Sequence, residues 1–225
     1  MSAVAARTPT REPAINDGVQ SASSHAVLDS LEQPDITLAL WTRPLPDAIA
    51  QGLDATASQA LPALDHEGRP DEVIAHAEAA IAQSGLACRQ TKSWLLADID
   101  GLVHRLGRVA GYGHVHARLM CVTHDACRYF HVDAVPMRLM CSYLGPGTQW
   151  VAPSVAGPEC IGPSGTERLL ADREVIQQVQ TGAVAMFRGR TGPRDTRPLV
   201  HRSPPIEATR TRRFVLNVTA VARQP

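Results

Sequence analysis

The sequence predicts an α+β fold, with N-terminal helices packed on a double-stranded β-helix (a jelly-roll or cupin-like barrel). Three observations lead there. Apolar residues recur at helical spacing up to about residue 112, and short β-rich runs divided by Gly/Pro turns follow from 113 to 225. No strand–helix alternation occurs that would build a parallel, dinucleotide-binding sheet. At 225 residues the chain is long enough for one core without disulfides or structural metal.

Each element has its own signal. Residues 1–35 are rich in Ala, Ser, Thr, Pro and Gln without a sustained apolar period, so a disordered or loosely attached tail is expected. A single domain spans 36–225, its helical part 36–112 and its barrel part 113–225. Ile36–Thr42 reads as a strand, and Pro46-Asp47 starts a helix running to about Ala60. Pro70-Asp71-Glu72 opens a clearer helix, with Val73, Ile74, Ala77 and Ile81 on one face and Gly85 closing it. Trp94–Ala110 places Leu95, Ile99, Leu102, Val103 and Leu106 at helical spacing before Gly111. Seven strands are then expected, at 114–123, 128–132, 137–144, 149–152, 183–188, 199–201 and 212–220. Gly-Pro-Gly (145–147), Gly-Pro-Ser-Gly (162–165) and Arg-Thr-Gly-Pro-Arg (190–194) read as turns, and 172–180 as a brief helix.

Composition narrows the function. Lys+Arg 22 against Asp+Glu 22 leaves no polycationic signature, and 4% aromatics supply no base-stacking surface, so no nucleic-acid partner is expected. No run approaches the roughly 18 apolar residues of a membrane span, and Met1–Glu12 lacks the apolar stretch of an export signal. The expectation is a cytoplasmic protein without a membrane partner, acting on a small-molecule or protein substrate. Five cysteines, an odd number, fit free thiols better than a disulfide framework.

The sharpest chemical signal is His131-Val-Asp133 followed by a distal His201. Period-two alternation puts His131 and Asp133 on one face of a strand, where both reach one metal ion. A third ligand from His201 completes a two-His-one-carboxylate set that leaves positions open for Fe(II) chemistry. Arg213 lies 12 residues after His201 at the start of an apolar strand. Its planar fork suits the far carboxylate of a 2-oxoglutarate co-substrate, with Arg212 as the alternate. Tyr143, ahead of Arg138, is expected to give the co-substrate a further hydrogen bond; five residues apart on one strand, the two face opposite ways.

Phe130-His-Val-Asp133, Arg138-Leu-Met-Cys-Ser-Tyr143, Gly145-Pro-Gly-Thr148-Gln-Trp150, Gly182–Gly189, Val200-His-Arg-Ser-Pro-Pro205 and Arg213-Phe-Val-Leu together resemble the bacterial DUF1826 family, over roughly residues 36–225. That resemblance supplies no activity, and it implies a setting near zinc-homeostasis GTPases. The same blocks resemble the Fe(II)/2-oxoglutarate dioxygenases. That likeness implies His131, Asp133 and His201 as metal ligands and catalytic centre, Arg213 as the co-substrate anchor, and Fe(II) and 2-oxoglutarate as cofactors.

Rival readings remain open at this stage. A non-catalytic Zn(II)-binding or metal-homeostasis protein would use the same three ligands, and so would a metallohydrolase. Cys121, His124 and Cys127 could form a zinc cluster with Cys141 or His131, and His114 with His116 could add metal ligands. A Cys127–His201 hydrolase has no supporting feature. Trp150 is expected to fill the barrel rather than recognise a substrate.

Overall fold

The computed structural model describes residues 17–193 and 196–222. In chain order its strands are β1 (Val19–Ala22), β2 (Leu38–Trp41), β3 (Leu64–Gly68), β4 (His114–Val122), β5 (Met137–Leu144), β6 (Gln149–Val151), β7 (Ile176–Gln178), β8 (Val184–Arg188), β9 (His201–Arg202) and β10 (Arg213–Val221). The helices are α1 (Asp47–Asp54), α2 (Pro70–Gln83), α3 (Arg89–Ala110) and α4 (Gly162–Ala171). Seven strands form a large sheet in the order β1-β2-β8-β5-β10-β4-β3, antiparallel except for the β1–β2 pair. A small sheet runs β7-β6-β9.

One face of the large sheet carries the helices. Leu95, Ile99, Val103 and Leu106 of α3 pack with Leu139, Tyr143, Phe214 and Leu216 in one continuous core. Each such side chain, wholly buried, stabilises by roughly 1.5–3 kcal/mol. α2 starts at Pro70, where Glu72 accepts the Arg69 backbone N–H at 2.9 Å, and α3 ends on Gly111 at φ 71°. The other face meets the small sheet. Ala185 and Phe187 of β8 pack there with Trp150 of β6 and with Leu199, so Trp150 does fill the space between the sheets. Beyond the small sheet, Leu169 of α4 covers Phe130, Val151 and Val200.

The result is a mixed α/β molecule with one large sheet. Among the described residues neither sheet closes on itself; the two face each other across Trp150, Phe187 and Leu199, and a closed barrel is not formed. Six local expectations also change. Residues 17–35 of the expected tail are ordered, while 1–16 lie outside the described residues. Gln20 and Ser21 pair with β2, and a 3₁₀ helix over His25–Glu32 buries Leu28 and Leu31. Long-range ties hold that helix. Asp29 accepts from Arg105 at 2.6 Å and Arg108 at 2.7 Å, and Arg188 donates to the carbonyls of Leu31, Gln33 and Ile36.

The helical half also contributes strand β3, which pairs with β4 through the polar run Leu64-Asp-His-Glu-Gly68. Gly162–Gly165 opens α4 instead of making a turn: Pro163 needs no N–H partner in a first helical turn, and a Cβ on Gly165 would meet the Cys160 backbone at 2.3 Å. The expected helix at 172–180 is a 3₁₀ turn (Arg173–Val175) leading into β7. Among the described residues, 128–132 make one bridge, His131 to His201, and the strand expected at 199–201 falls at His201–Arg202.

Candidate metal centre

The centre is built where the small sheet borrows one residue from the loop after β4. His131 and His201 exchange both backbone hydrogen bonds, at 2.9 and 3.0 Å, as a directly opposed antiparallel pair. Such a pair carries its two side chains on one face, and the imidazole rings lie 4.6 Å apart. Asp133 stands two residues on, where the loop is clamped against the end of β8. The Asp133 carbonyl accepts the Arg190 N–H at 2.9 Å, and Gly189 sits against the loop. A Cβ at Gly189 would stand 2.0 Å from the Val135 oxygen and 2.9 Å from the Asp133 oxygen, so only glycine lets the loop come this close.

Each histidine is oriented through its inner nitrogen. His131 Nδ1 lies 2.8 Å from the Tyr129 carbonyl and His201 Nδ1 3.1 Å from the Leu199 carbonyl. A carbonyl can only accept, so Nδ1 of each ring is the donor to it, and Nε2, on the side of Asp133, is the nitrogen left for a metal ion. His131 Nε2 stands 3.6 Å from Asp133 Oδ1, and His201 Nε2 3.3 Å from Asp133 Oδ2. One ligand atom from each residue lies within 4.8 Å of the others, and among the described residues this is the group of His, Cys, Asp or Glu so arranged. Phe187 covers the His201 ring at 4.6 Å between centroids.

The donor set fits a divalent ion. Asp133 Oδ2 is buried without a well-formed hydrogen bond, although Arg138 Nη1 lies 2.7 Å from it as an ion pair. Burial alone would push the Asp133 carboxyl up, but contacts with His131 and His201 and the Arg138 charge outweigh it and hold it well below the usual carboxylate range. Asp133 in turn raises His131 above its ordinary value, against the effect of burial. Two imidazole Nε2 atoms and an ionised, under-bonded carboxylate oxygen lie within 4.8 Å of one another, a donor set that a metal ion satisfies.

His131 and His201 border a cleft of about 330 Å³ between the two sheets, as does Arg138, the ion-pair partner of Asp133. Alternation along the large sheet gives it a wall of mixed polarity that includes Arg213, Val215 and Asn217 of β10, Arg138 and Met140 of β5, and Arg118 of β4. Arg213 is 2% exposed. It donates Nε to the Pro146 carbonyl at 2.7 Å and Nη2 to Ser142 Oγ at 3.2 Å, and no carboxylate pairs with it among the described residues. Burial alone pushes its pKa down to about 10, so it stays charged at neutral pH. That burial costs on the order of 3 kcal/mol, which a bound anion would offset.

Two expected cleft residues face elsewhere. Tyr143 points to the helical side, where its hydroxyl donates to Asp98 Oδ2 at 2.8 Å; β5 alternates regularly enough that Arg138 takes the cleft side and Tyr143 the core. Arg212 also points away and donates to the carbonyls of Thr56 and Asp54 beyond α1. Cys121, His124 and Cys127 sit along the cleft wall without converging as a ligand cluster among the described residues, and Cys141 lies buried on the opposite face. His116 pairs with Asp65 at 2.6 Å and does not join His114 in any ligand group among the described residues. Sequence reasoning passed over two cleft residues, Arg118 and Arg202. The signal that could have found Arg202 is a charged residue directly beside His201 in an otherwise apolar strand.

A family model described as a protein of unknown function (DUF1826) matches residues 22–218. No curated protein matches the chain. Among solved structures, the chain is similar to the rice dioxygenase for auxin oxidation at 10% identity, covering 88% of this chain and 78% of that one, with a TM-score of 0.49. It is also similar to a Pseudomonas putida prolyl-4-hydroxylase at 11% identity, covering 88% and 98%, with a TM-score of 0.44. A third is an Arabidopsis thaliana dioxygenase for auxin oxidation in complex with 2-oxoglutarate, at 10% identity, 88% and 76% coverage and a TM-score of 0.46. These likenesses are loose, and the chemistry rests on the side chains themselves.

Proposed function

The chain belongs to the DUF1826 family, and from the centre it carries we propose that it is a non-haem Fe(II)/2-oxoglutarate-dependent oxygenase. One observation supports this reading over bare metal binding. His131 and His201, which converge with Asp133, line the same cleft as Arg213, a buried guanidinium that has no carboxylate partner among the described residues. A zinc store or sensor needs the three ligands but has no use for a desolvated cation in the same cavity.

The residues divide the work. His131, Asp133 and His201 would hold the ion. When bound, Fe(II) and 2-oxoglutarate supply oxidation of a substrate C–H bond by O₂, coupled to decarboxylation of the oxoacid to succinate. Arg213, its plane fixed by Pro146 and Ser142, would take the far carboxylate of the oxoacid. Arg138 is a positioning residue: it engages Asp133 Oδ2 and keeps that carboxylate turned toward the two imidazoles. Phe187 and the Leu199–Val200 segment keep water from the buried side of His201.

The test is release of succinate from 2-oxoglutarate by the purified chain with Fe(II), ascorbate and O₂, without added substrate. Slow uncoupled turnover that disappears in His131→Ala is expected. Tight binding of both iron and 2-oxoglutarate with no succinate formed would overturn the oxygenase reading and leave a metal-binding protein.

A further inference from the structure

A second cavity lies on the outer side of the small sheet, an open groove of about 630 Å³ between β6, β7, β9 and the start of α4. Its notable lining residues are three arginines, Arg128, Arg173 and Arg202. Arg202 follows His201 in β9, and alternation turns it away from the metal, so its guanidinium lies over the Phe130 ring on the outer face.

Arg202 is 5% exposed. It donates Nε to Gln149 Oε1 at 2.8 Å and Nη1 to the Arg128 carbonyl at 3.3 Å, both neutral acceptors, and no carboxylate pairs with it among the described residues. Arg173 lies close enough to repel it. The acidic side chains of the groove relieve this only in part. Asp125 attracts Arg202 from a distance but turns its carboxylate to the backbone N–H groups of Ile206 and Glu207, at 2.6 and 2.9 Å. Glu167 makes no ion pair among the described residues. A desolvated cation beside a like charge is costly unless an anion completes the site. A planar fork on a fixed strand is suited to receive one.

We propose that this groove binds the anionic group of a ligand, a carboxylate or a phosphate, on Arg202 and Arg173, at a site separate from the one Arg213 offers in the metal cleft. Arg202 also borders the metal cleft, so a ligand held here lies against the same short strand that carries His201. The site stands or falls independently of the metal reading, because none of its groups is a ligand of the ion.

The experiment is calorimetric titration of the full-length, metal-free chain with inorganic phosphate and, separately, with acetate. The two arms distinguish the two anion sources. Saturable binding of at least one anion is expected, weakened roughly tenfold or more in Arg202→Gln and in Arg173→Gln, consistent with losing a charge-assisted contact. Arg213→Gln removes only anion binding in the metal cleft and should leave in place the binding that Arg202→Gln and Arg173→Gln weaken. Arg173 is exposed, so Arg173→Gln keeps the test valid even where Arg202→Gln does not fold. Absence of saturable binding by the wild type overturns the proposal. So does unchanged affinity in Arg173→Gln, or loss of binding in Arg213→Gln alone.

Discussion

Replacing Tyr143 by Phe separates the two faces of β5. The hydroxyl is fully buried among the helices and donates to Asp98 Oδ2 at 2.8 Å, while Arg43 grips the same carboxylate through both of its terminal nitrogens. Losing the hydroxyl removes one hydrogen bond to a charged acceptor, worth about 1.5–3 kcal/mol. Arg43 still satisfies Asp98, so the loss stops there and does not grow into an unpaired buried charge. In a domain of this size each kcal/mol lowers Tm by roughly 2–4 °C, so a fall of roughly 3–12 °C is expected. Urea unfolding should show a lower midpoint with an unchanged slope. Iron and 2-oxoglutarate affinities should match the wild type, because Tyr143 and the cleft lie on opposite faces of the sheet. An unchanged Tm with weakened 2-oxoglutarate binding would refute this placement and return Tyr143 to the cleft.

Three more expectations follow from the same geometry. Gly189→Ala would drive a Cβ to 2.0 Å from the Val135 oxygen; it should displace the Asp133 loop and weaken metal binding about tenfold or more, read by competition with a chromogenic chelator, and wild-type affinity would contradict the clamp. Asp29, paired with Arg105 and Arg108, has its carboxyl held below the ordinary value despite the opposing effect of burial. Its contribution, about 0.5–1 kcal/mol after solvent screening, is therefore fully present above about pH 4 and is lost as pH falls through the depressed value. The Tm gap between wild type and Asp29→Asn should shrink on acidification, and a widening gap would reverse the sign. Exposed Cys88 at the start of α3 has its pKa lowered by the nearby backbone N–H groups of Thr91 and Gln90 and the Thr91 hydroxyl, whereas burial beside Asp98 pushes Cys141 up to about 12. Iodoacetamide followed by peptide mass analysis should label Cys88 in the native protein and Cys141 only after unfolding; equal rates would contradict the burial.

What could be read from the chain, and what could not, divides by the range of the interaction. The face of α3 and the strands around Met137–Leu144 and Arg213–Val221 are written in local periodicity, because burying one face of a helix or strand needs a regular apolar repeat. His131, Asp133 and His201 stood out in the sequence as residue types and spacing, but their convergence rests on longer-range contacts, the backbone bridge between His131 and His201 and the clamp of the Asp133 loop against the end of β8. The 3₁₀ helix at His25–Glu32 was hidden because its stability comes from Arg105, Arg108 and Arg188, each more than 70 residues away in the chain. β3 was hidden because its polar strand gains order from pairing with β4 rather than from burial. Alternation also implied that Arg138 and Tyr143 face opposite ways. Which of the two meets the cleft depends on which face of the large sheet the helices cover, a tertiary fact that no window of residues contains.

The central claim is that His131, Asp133 and His201 hold an iron that accepts 2-oxoglutarate, with Arg213 anchoring its far end. The most direct measurement is an anaerobic titration of the metal-free chain with Fe(II) and then 2-oxoglutarate, following the visible charge-transfer band of the chelated oxoacid. The account predicts a band in the wild type, no iron binding in His131→Ala, and iron binding without the band in Arg213→Glu. Iron bound by the wild type with no band, or a full band in Arg213→Glu, would contradict it.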